Sequence, residues 1–231
     1  MRIQRVALTV ARLDEAALFY REVLRLPVTV RPGQVSVEIG ASTLVLEQGE
    51  PFSGAHHLAF GIAPAALEPA HAWLSRSVEL LVADGSDVIV GPDGWDSRSL
   101  YFSGPEGIVL ELIARDADAG APTQDGGVPR LLSVSEVGIG VPDVAGAVRA
   151  LTTQLALPVF PPQEPQFAPV GSHDGLLVLV DQTRIWFPTD GVLPATGPVA
   201  VTLRAPRAGQ LSLRPSATVL AAGGPAPRPA G

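Results

Sequence analysis

The sequence contains no cysteine, no lysine and no asparagine. Without thiols there is no disulfide framework, zinc knuckle, iron–sulfur ligation or thiolate nucleophile. Without lysine there is no Schiff-base chemistry and no phosphate-binding lysine of a P-loop, and all 16 basic residues are arginine. The joint loss of lysine and asparagine fits codon bias in a GC-rich genome and carries no functional meaning. No apolar run approaches the roughly 18 residues of a membrane-spanning helix. Met1-Arg2-Ile3-Gln4-Arg5 leads straight into a strand-like segment instead of a signal-peptide apolar stretch. A soluble, cytoplasmic protein with no membrane partner is therefore expected. The formal net charge is −7 with no arginine cluster. That balance argues against a nucleic-acid partner, because neutralising phosphates takes a concentrated basic face. No serine sits in a Gly-x-Ser-x-Gly elbow and no Gly-x-Gly-x-x-Gly opens a helix, so hydrolase and dinucleotide-binding readings lack support. A small organic molecule is the expected partner.

What is present is a chain of 231 residues, 46% hydrophobic, long enough for one large domain or two small ones with filled cores. Two stretches interrupt its apolar segments: Arg115 to Gly127, small and polar, and Gly223 to Gly231, rich in proline and glycine. They divide the chain into a first half over 1–115, a linker over 116–129, a second half over 130–222 and a flexible tail over 223–231. In the first half Ile3 to Val10 alternates as a half-buried strand. Leu13 to Leu24 follows with helical spacing, with Asp14 able to cap it. Strand-like pieces at Leu26–Val30, Val35–Ile39 and Thr43–Glu47 complete a βαβββ unit. The order repeats: strand His57–Ile62, helix Ala65–Arg76, then strands Glu79–Ala83, Asp87–Val90, Leu100–Phe102 and Val109–Ile113. A third copy starts at Ser133–Val141, with a helix from about Asp143 to Leu155 and strands at Phe167–Gly171, Leu176–Val180 and Arg184–Phe187. A fourth keeps only Val199–Ala205 and Thr218–Ala221, with no convincing helix between them. The expected fold is α+β, made of repeated βαβββ modules. The first two modules would pair into a cup-shaped antiparallel sheet, and the third would stand with a truncated fourth. Val6, Leu8, Leu18, Leu58, Phe60 and Leu110 should be buried against helices.

Val6 to Asp14 followed by Phe19-Tyr20-Arg21-Glu22-Val23-Leu24, the His57-Leu58-Ala59-Phe60 strand, and Ser99 to Ile113 with its Gly104-Pro105-Glu106-Gly107 turn together resemble the vicinal-oxygen-chelate superfamily. That group comprises glyoxalase I, bleomycin-resistance proteins and extradiol dioxygenases. Val134 to Asp143 extends the resemblance into the second half. The resemblance implies a cup that holds a divalent metal (Fe, Mn, Zn or Ni), with ligands from the first and last strands of each module. It does not name a reaction, because one scaffold of this kind hosts many chemistries.

On that pattern His57 stands at the second-module histidine and Glu111 at the second-module carboxylate, which also makes Glu111 the catalytic candidate. Arg5 stands where the first-module histidine is expected. Strand phase allows Val45 or Glu47 as the first-module carboxylate, so Glu47 is the third candidate metal ligand. A guanidinium cannot shed its proton to coordinate a cation. Glu136 holds the corresponding position in the second half, where Val199-Ala200-Val201 supplies no partner histidine, and this half reads as scaffold or lid. Glu111 lies mid-strand between leucines and needs a partner, either a cation or Arg5 in a structural ion pair. Trp95, Arg98 and Tyr101 fall at the expected rim of the cup, where an aromatic beside an arginine suits a flat anionic or carbonyl-bearing ligand. Two readings stay open: capture of a small organic molecule without a metal, and a metal-dependent lyase, isomerase or ring-cleavage dioxygenase. Sheet edges left to cover suggest a homodimer.

Overall fold

A computed structural model describes residues 1–123 and 127–224. The tail beyond 224 and the linker centre at 124–126 lie outside the described residues. The first module contains β1 (Arg2–Val10), α1 (Leu13–Leu18) continued by a π-helical turn over Phe19–Val23, β2 (Val28–Arg31), β3 (Gln34–Ile39) and β4 (Ser42–Gln48). The second contains β5 (His57–Ile62), α2 (Leu67–Leu74), β6 (Ile89–Val90), β7 (Ser97–Ser103) and β8 (Val109–Arg115). The third has β9 (Val134–Val141), α3 (Val144–Leu155), β10 (Phe167–Ser172) and β11 (Gly175–Asp181). The fourth has β12 (Val199–Ala205), β13 (Gly209–Arg214) and β14 (Ala217–Gly223), with no helix. None of the described helices is long and apolar enough to cross a membrane.

The α+β class and the repeated modules are those expected from the sequence, but the pairing of modules differs. Two seven-stranded sheets form, in the orders β13-β14-β12-β1-β4-β3-β2 and β10-β11-β9-β5-β8-β7-β6. The first module thus shares a sheet with the fourth, and the second with the third. Within a module the last strand lies parallel beside the first, as in β1/β4 and β5/β8, whereas first strands meet antiparallel across the seams, β1 with β12 and β5 with β9. The sheets are mixed, not purely antiparallel.

Burial explains the choice of partners. β5 and β9 are buried at every position, as befits central strands covered on both faces. β12 alternates, and β1 leaves Arg2 and Arg5 exposed and Gln4 and Thr9 half-buried, as befits strands with one solvated face. Strands of like character therefore share a seam. The residues leading into β9 reinforce the arrangement: Leu132 N donates to Gly61 O at 2.8 Å, Gly61 N to Ser133 O at 3.0 Å, and Ala41 N to Leu132 O at 2.8 Å. Gly40 permits the crossing, because its φ is 56° and a Cβ there would lie 2.1 Å from the Leu132 carbonyl oxygen.

One continuous core joins the helix-bearing faces of both sheets and includes Val6, Leu8, Leu58, Phe60, Leu110 and Val201. Leu18 is the exception among the residues expected inside, at 55% exposure. Leu13, Ala16, Ala17 and Tyr20 make the buried stripe at helical spacing, and Leu18 falls on the other side of α1. Asp14 does not cap α1. Instead the Glu106 carboxylate, from the turn before β8, accepts from Ala11 N at 3.1 Å and Arg12 N at 2.5 Å. Arg184–Phe187 is not a strand. The Asp181 carboxylate accepts from Thr183 N and Oγ1 at 2.8 and 2.6 Å, ending β11 in a turn. Glu79–Ala83 contributes only isolated bridges, and β13 was absent from the expected elements.

Two measurements test this account. Glu106→Ala should lower unfolding stability by about 1 kcal/mol in urea titrations, through loss of the two amide bonds that tie the chain entering α1 to the turn before β8. His56 is buried against Phe52, and burial with Arg214 nearby pushes its pKa from 6.5 down to about 3. Between those values the unfolded chain holds a proton that the folded chain lacks, so His56 makes stability fall as pH drops from 6.5. Across that window His56→Gln should lose stability less steeply than the parent, by up to about 1.4 kcal/mol per pH unit. Parallel curves would show that His56 is not buried neutral.

Candidate functional site

The functional face is set by strand alternation at the seam between the second and third modules. On β5, Leu58 and Phe60 enter the main core, which turns His57 and Ala59 the other way. On β8 the same phase aligns Val109, Glu111, Ile113 and Arg115. β9 lies antiparallel to β5 with Ala59 opposite Glu136 and His57 opposite Gly138. A Cβ at Gly138 would come within 2.5 Å of the Trp186 ring and 2.9 Å of the His57 Cβ. Glycine is what lets these two rings stand side by side, their centroids 5.3 Å apart.

His57, Glu111 and Glu136 are all buried, and one ligand atom from each lies within 4.8 Å of the others. His57 Nδ1 is 3.2 Å from the Val109 carbonyl oxygen. Since a carbonyl only accepts, Nδ1 carries the proton and Nε2 keeps its lone pair, 3.5 Å from Glu111 Oε2. Burial lowers the His57 pKa to about 4, so the contact with Glu111 is not a charged pair. Glu111 is raised by burial and then by the neighbouring Glu136, an effect that the Ser99 and Tyr101 hydroxyls and Arg115 offset in part. Glu136 is also raised by burial, against the pull of Arg115. Arg115 Nη2 donates to Glu136 Oε1, which favours the charged form of Glu136 and leaves the proton of the two carboxyls on Glu111. The Arg115 guanidinium also stands over the Trp95 ring at 5.2 Å. Trp95 is fixed in turn by donation from its Nε1 to Pro161 O at 2.6 Å, which ties a second-module loop to the third module.

Above this floor lies a cavity of about 370 Å³. Its walls include the rings of Trp95, Tyr101, Phe167 and Trp186. Trp186 is pinned by Nε1 donating to Ala55 O at 2.8 Å. Arg184 closes one side, its guanidinium 4.8 Å above Phe167 and 3.3 Å from Glu164 Oε2.

Among the residues singled out by sequence, His57, Glu111, Trp95 and Tyr101 meet around this cavity. Arg98 lies on β7 between Ser97 and Ser99 but on the opposite, exposed side. Arg5 and Glu47 lie on the other sheet, where they face each other at 3.8 Å with both side chains about half exposed. Neither borders the cavity. The expected pair of Arg5 with Glu111 does not form: Arg5 faces Glu47, and the companions of Glu111 are His57, Glu136 and Arg115.

Sequence reasoning set Glu136 aside as scaffold and left Arg115 at the start of the linker. The phase of β8 already placed Arg115 on the face of Glu111. Glu136 required knowing that β5 and β9 are neighbours. The repeat also identifies a fourth position. Glu111 lies opposite Ala59, two residues beyond His57, and the matching residue opposite Gly138, two beyond Glu136, is Val178. A valine fills the place of a fourth donor.

No family model and no curated protein matches the chain. Solved structures do. A protein from Bacillus subtilis described as a dioxygenase aligns over 96% of this chain and 85% of its own, with a TM-score of 0.57 at 14% identity. Glyoxalase I from Zea mays aligns over 87% of this chain and 74% of its own, with a TM-score of 0.54 at 16% identity. A glyoxalase/bleomycin resistance protein/dioxygenase from Nocardioides covers 55% of this chain and 90% of its own, with a TM-score of 0.41 at 24% identity. At these identities the likeness of the first two is one of fold alone.

Removing one member of a buried pair leaves an uncompensated charge. Arg115→Met should cost about 3–5 kcal/mol in denaturant unfolding, and adding Glu136→Gln should restore most of that loss. Equal losses in the single and double variants would mean that Arg115 acts through packing alone.

Proposed function

We propose that the protein binds a small planar organic molecule in the cavity between the second and third modules. The observation that carries this reading is the enclosure itself: aromatic walls over a polar floor in which His57, Glu111 and Glu136 converge. Concave, mostly apolar sites with a few convergent polar groups are where small ligands bind. Flat rings would stack on Trp95, Trp186 and Phe167. The floor offers a matching set of hydrogen bonds: the Glu111 carboxyl and the Tyr101 and Ser99 hydroxyls can donate, and Glu136 can accept. A ligand bearing hydroxyl or carbonyl oxygens on a ring satisfies both halves.

A second reading, metal-dependent lyase, isomerase or dioxygenase chemistry, is favoured by the donor set. One imidazole with a free Nε2 and two carboxylates suit Fe, Mn, Zn or Ni. The Val109 carbonyl would orient that imidazole as outer-shell groups do in metal sites. The residues fit such an ion, held by His57, Glu111 and Glu136. When bound, it would supply Lewis-acid polarisation of ligand oxygens. In this reading Arg115 holds Glu136 in place, and Tyr101 and Ser99 orient Glu111.

Tryptophan fluorescence should report phenol binding, because two of the three tryptophans border the cavity. Val178→Phe, which fills the cavity, should weaken binding at least about tenfold, the loss of roughly 1.4 kcal/mol. An unchanged affinity would place the ligand elsewhere. For the metal reading, Val178→Glu supplies the missing fourth donor. It should raise Mn(II) affinity at least about tenfold by calorimetry, and an unaltered affinity would show that the three residues do not act as a ligand set.

A further inference from the structure

Polarity in this cavity runs opposite to a simple apolar pocket. Glu111, Glu136, His57 and the Ser99 and Tyr101 hydroxyls occupy the buried end. The exposed margin includes Val90, Ile185 and Phe187, which are 76%, 48% and 54% exposed, beside Pro92 and the Arg184–Glu164 ion pair. Among the described residues eight large apolar side chains are at least this exposed, and three of them sit at this one opening. Scattered exposed apolar residues need no explanation, but a group rimming a cavity marks a surface that a ligand covers.

The rim is also held in place. Ile185 and Phe187 flank Trp186, whose backbone N donates to Val192 O at 2.8 Å and whose Nε1 donates to Ala55 O. With the tryptophan turned inward, its neighbours are forced toward solvent. Phe187 leans its ring edge-on against Tyr101 with centroids 6.2 Å apart, which makes the rim continuous with the aromatic wall. Val90 approaches from the short edge strand β6, across from the loop that carries the other two.

Resting on the reading of this cavity as a ligand site, we infer that its ligand is an amphiphile: a polar ring that enters head first, and an apolar tail that leaves the mouth across Val90, Ile185 and Phe187. A compact polar ligand would satisfy the floor but leave the rim bare. A purely apolar one would cover the rim but make no hydrogen bond to the polar groups of the cavity floor. Only a molecule with both parts fits the order in which the two surfaces occur. The tail would lie against the rim with one side in water, so each added methylene should contribute about half the free energy of full burial.

The test is a calorimetric series of phenol, 4-ethylphenol, 4-butylphenol and 4-hexylphenol with the full-length protein. Affinity should rise about twofold per methylene. In the double variant Ile185→Ser/Phe187→Ser, and more weakly in Val90→Ser, that dependence on chain length should flatten toward none, whatever the affinity for phenol itself. Val90→Ser changes a highly exposed side chain and provides a variant whose folding is not at issue. Phenol binding with no gain along the series would overturn the amphiphile and leave the cavity reading intact. A gain that persists in both rim variants would also overturn it. No binding by any member would remove the cavity reading and this inference together. Concentration-dependent self-association of the parent that the rim variants abolish would assign the rim to a second copy of the chain and overturn the ligand-tail assignment.

Discussion

Two glutamates, a histidine and an arginine are buried within one small region between β8, β5 and β9, and the rest of the molecule is arranged so that this burial can be tolerated. Removing such groups from water costs several kcal/mol each unless their charges and hydrogen bonds are met on the spot. Here Arg115 meets Glu136, the His57 proton meets the Val109 carbonyl, and Glu111 keeps its proton beside Ser99 and Tyr101. Arg115 Nη1 alone is left without a partner among them, and the contacts of the rest require atoms from two modules. The antiparallel seam of β5 with β9 is therefore the constraint from which the cavity follows, and the bonds at Gly61, Ala41 and Leu132 reinforce that seam.

The same repeat has been put to two uses. In the sheet of the first and fourth modules the corresponding face is open and polar, and Arg5 and Glu47 meet near water, where an ion pair contributes little. In the sheet of the second and third modules it is roofed by Trp95, Phe160 and the Trp186 loop, and the same kind of charged residue becomes expensive and specific. The difference lies mainly in the segments outside the strands. The Trp95 loop and residues 182–192 have no counterpart in the degenerate fourth module, where β12 reaches β13 through a three-residue turn.

Much of this was legible in the sequence, for identifiable reasons. Alternation gave the facing of His57 and Ala59 against Leu58 and Phe60, and it placed Val109, Glu111 and Ile113 on one side of β8. The repeat gave the modules. What local pattern does not contain is which first strands meet, since β1, β5, β9 and β12 all present a free edge. The assumption that neighbours in sequence pair put Arg5 and Glu47 beside Glu111 and turned Glu136 into scaffold. A cue did exist: Ser135 to Val141 and His57 to Ile62 each carry polar residues only at their first positions, unlike Arg2 to Val10, so the two mostly apolar strands belong together. The bonds from the Ala11 and Arg12 amides to Glu106 join distant segments, and no local periodicity encodes them, whereas the helical spacing of Leu13, Ala16, Ala17 and Tyr20 already leaves Leu18 outside the buried stripe.

The account stands on the claim that ligands enter the seam of the second and third modules and not the face of the first. Amide chemical-shift mapping of isotope-labelled protein titrated with phenol tests this directly. The account predicts shifts concentrated at His57, Tyr101, Glu111, Glu136 and Val178, with Arg5, Ala7, Val45 and Glu47 unmoved. Shifts centred on β1 and β4 with a silent β5/β9 seam would contradict it.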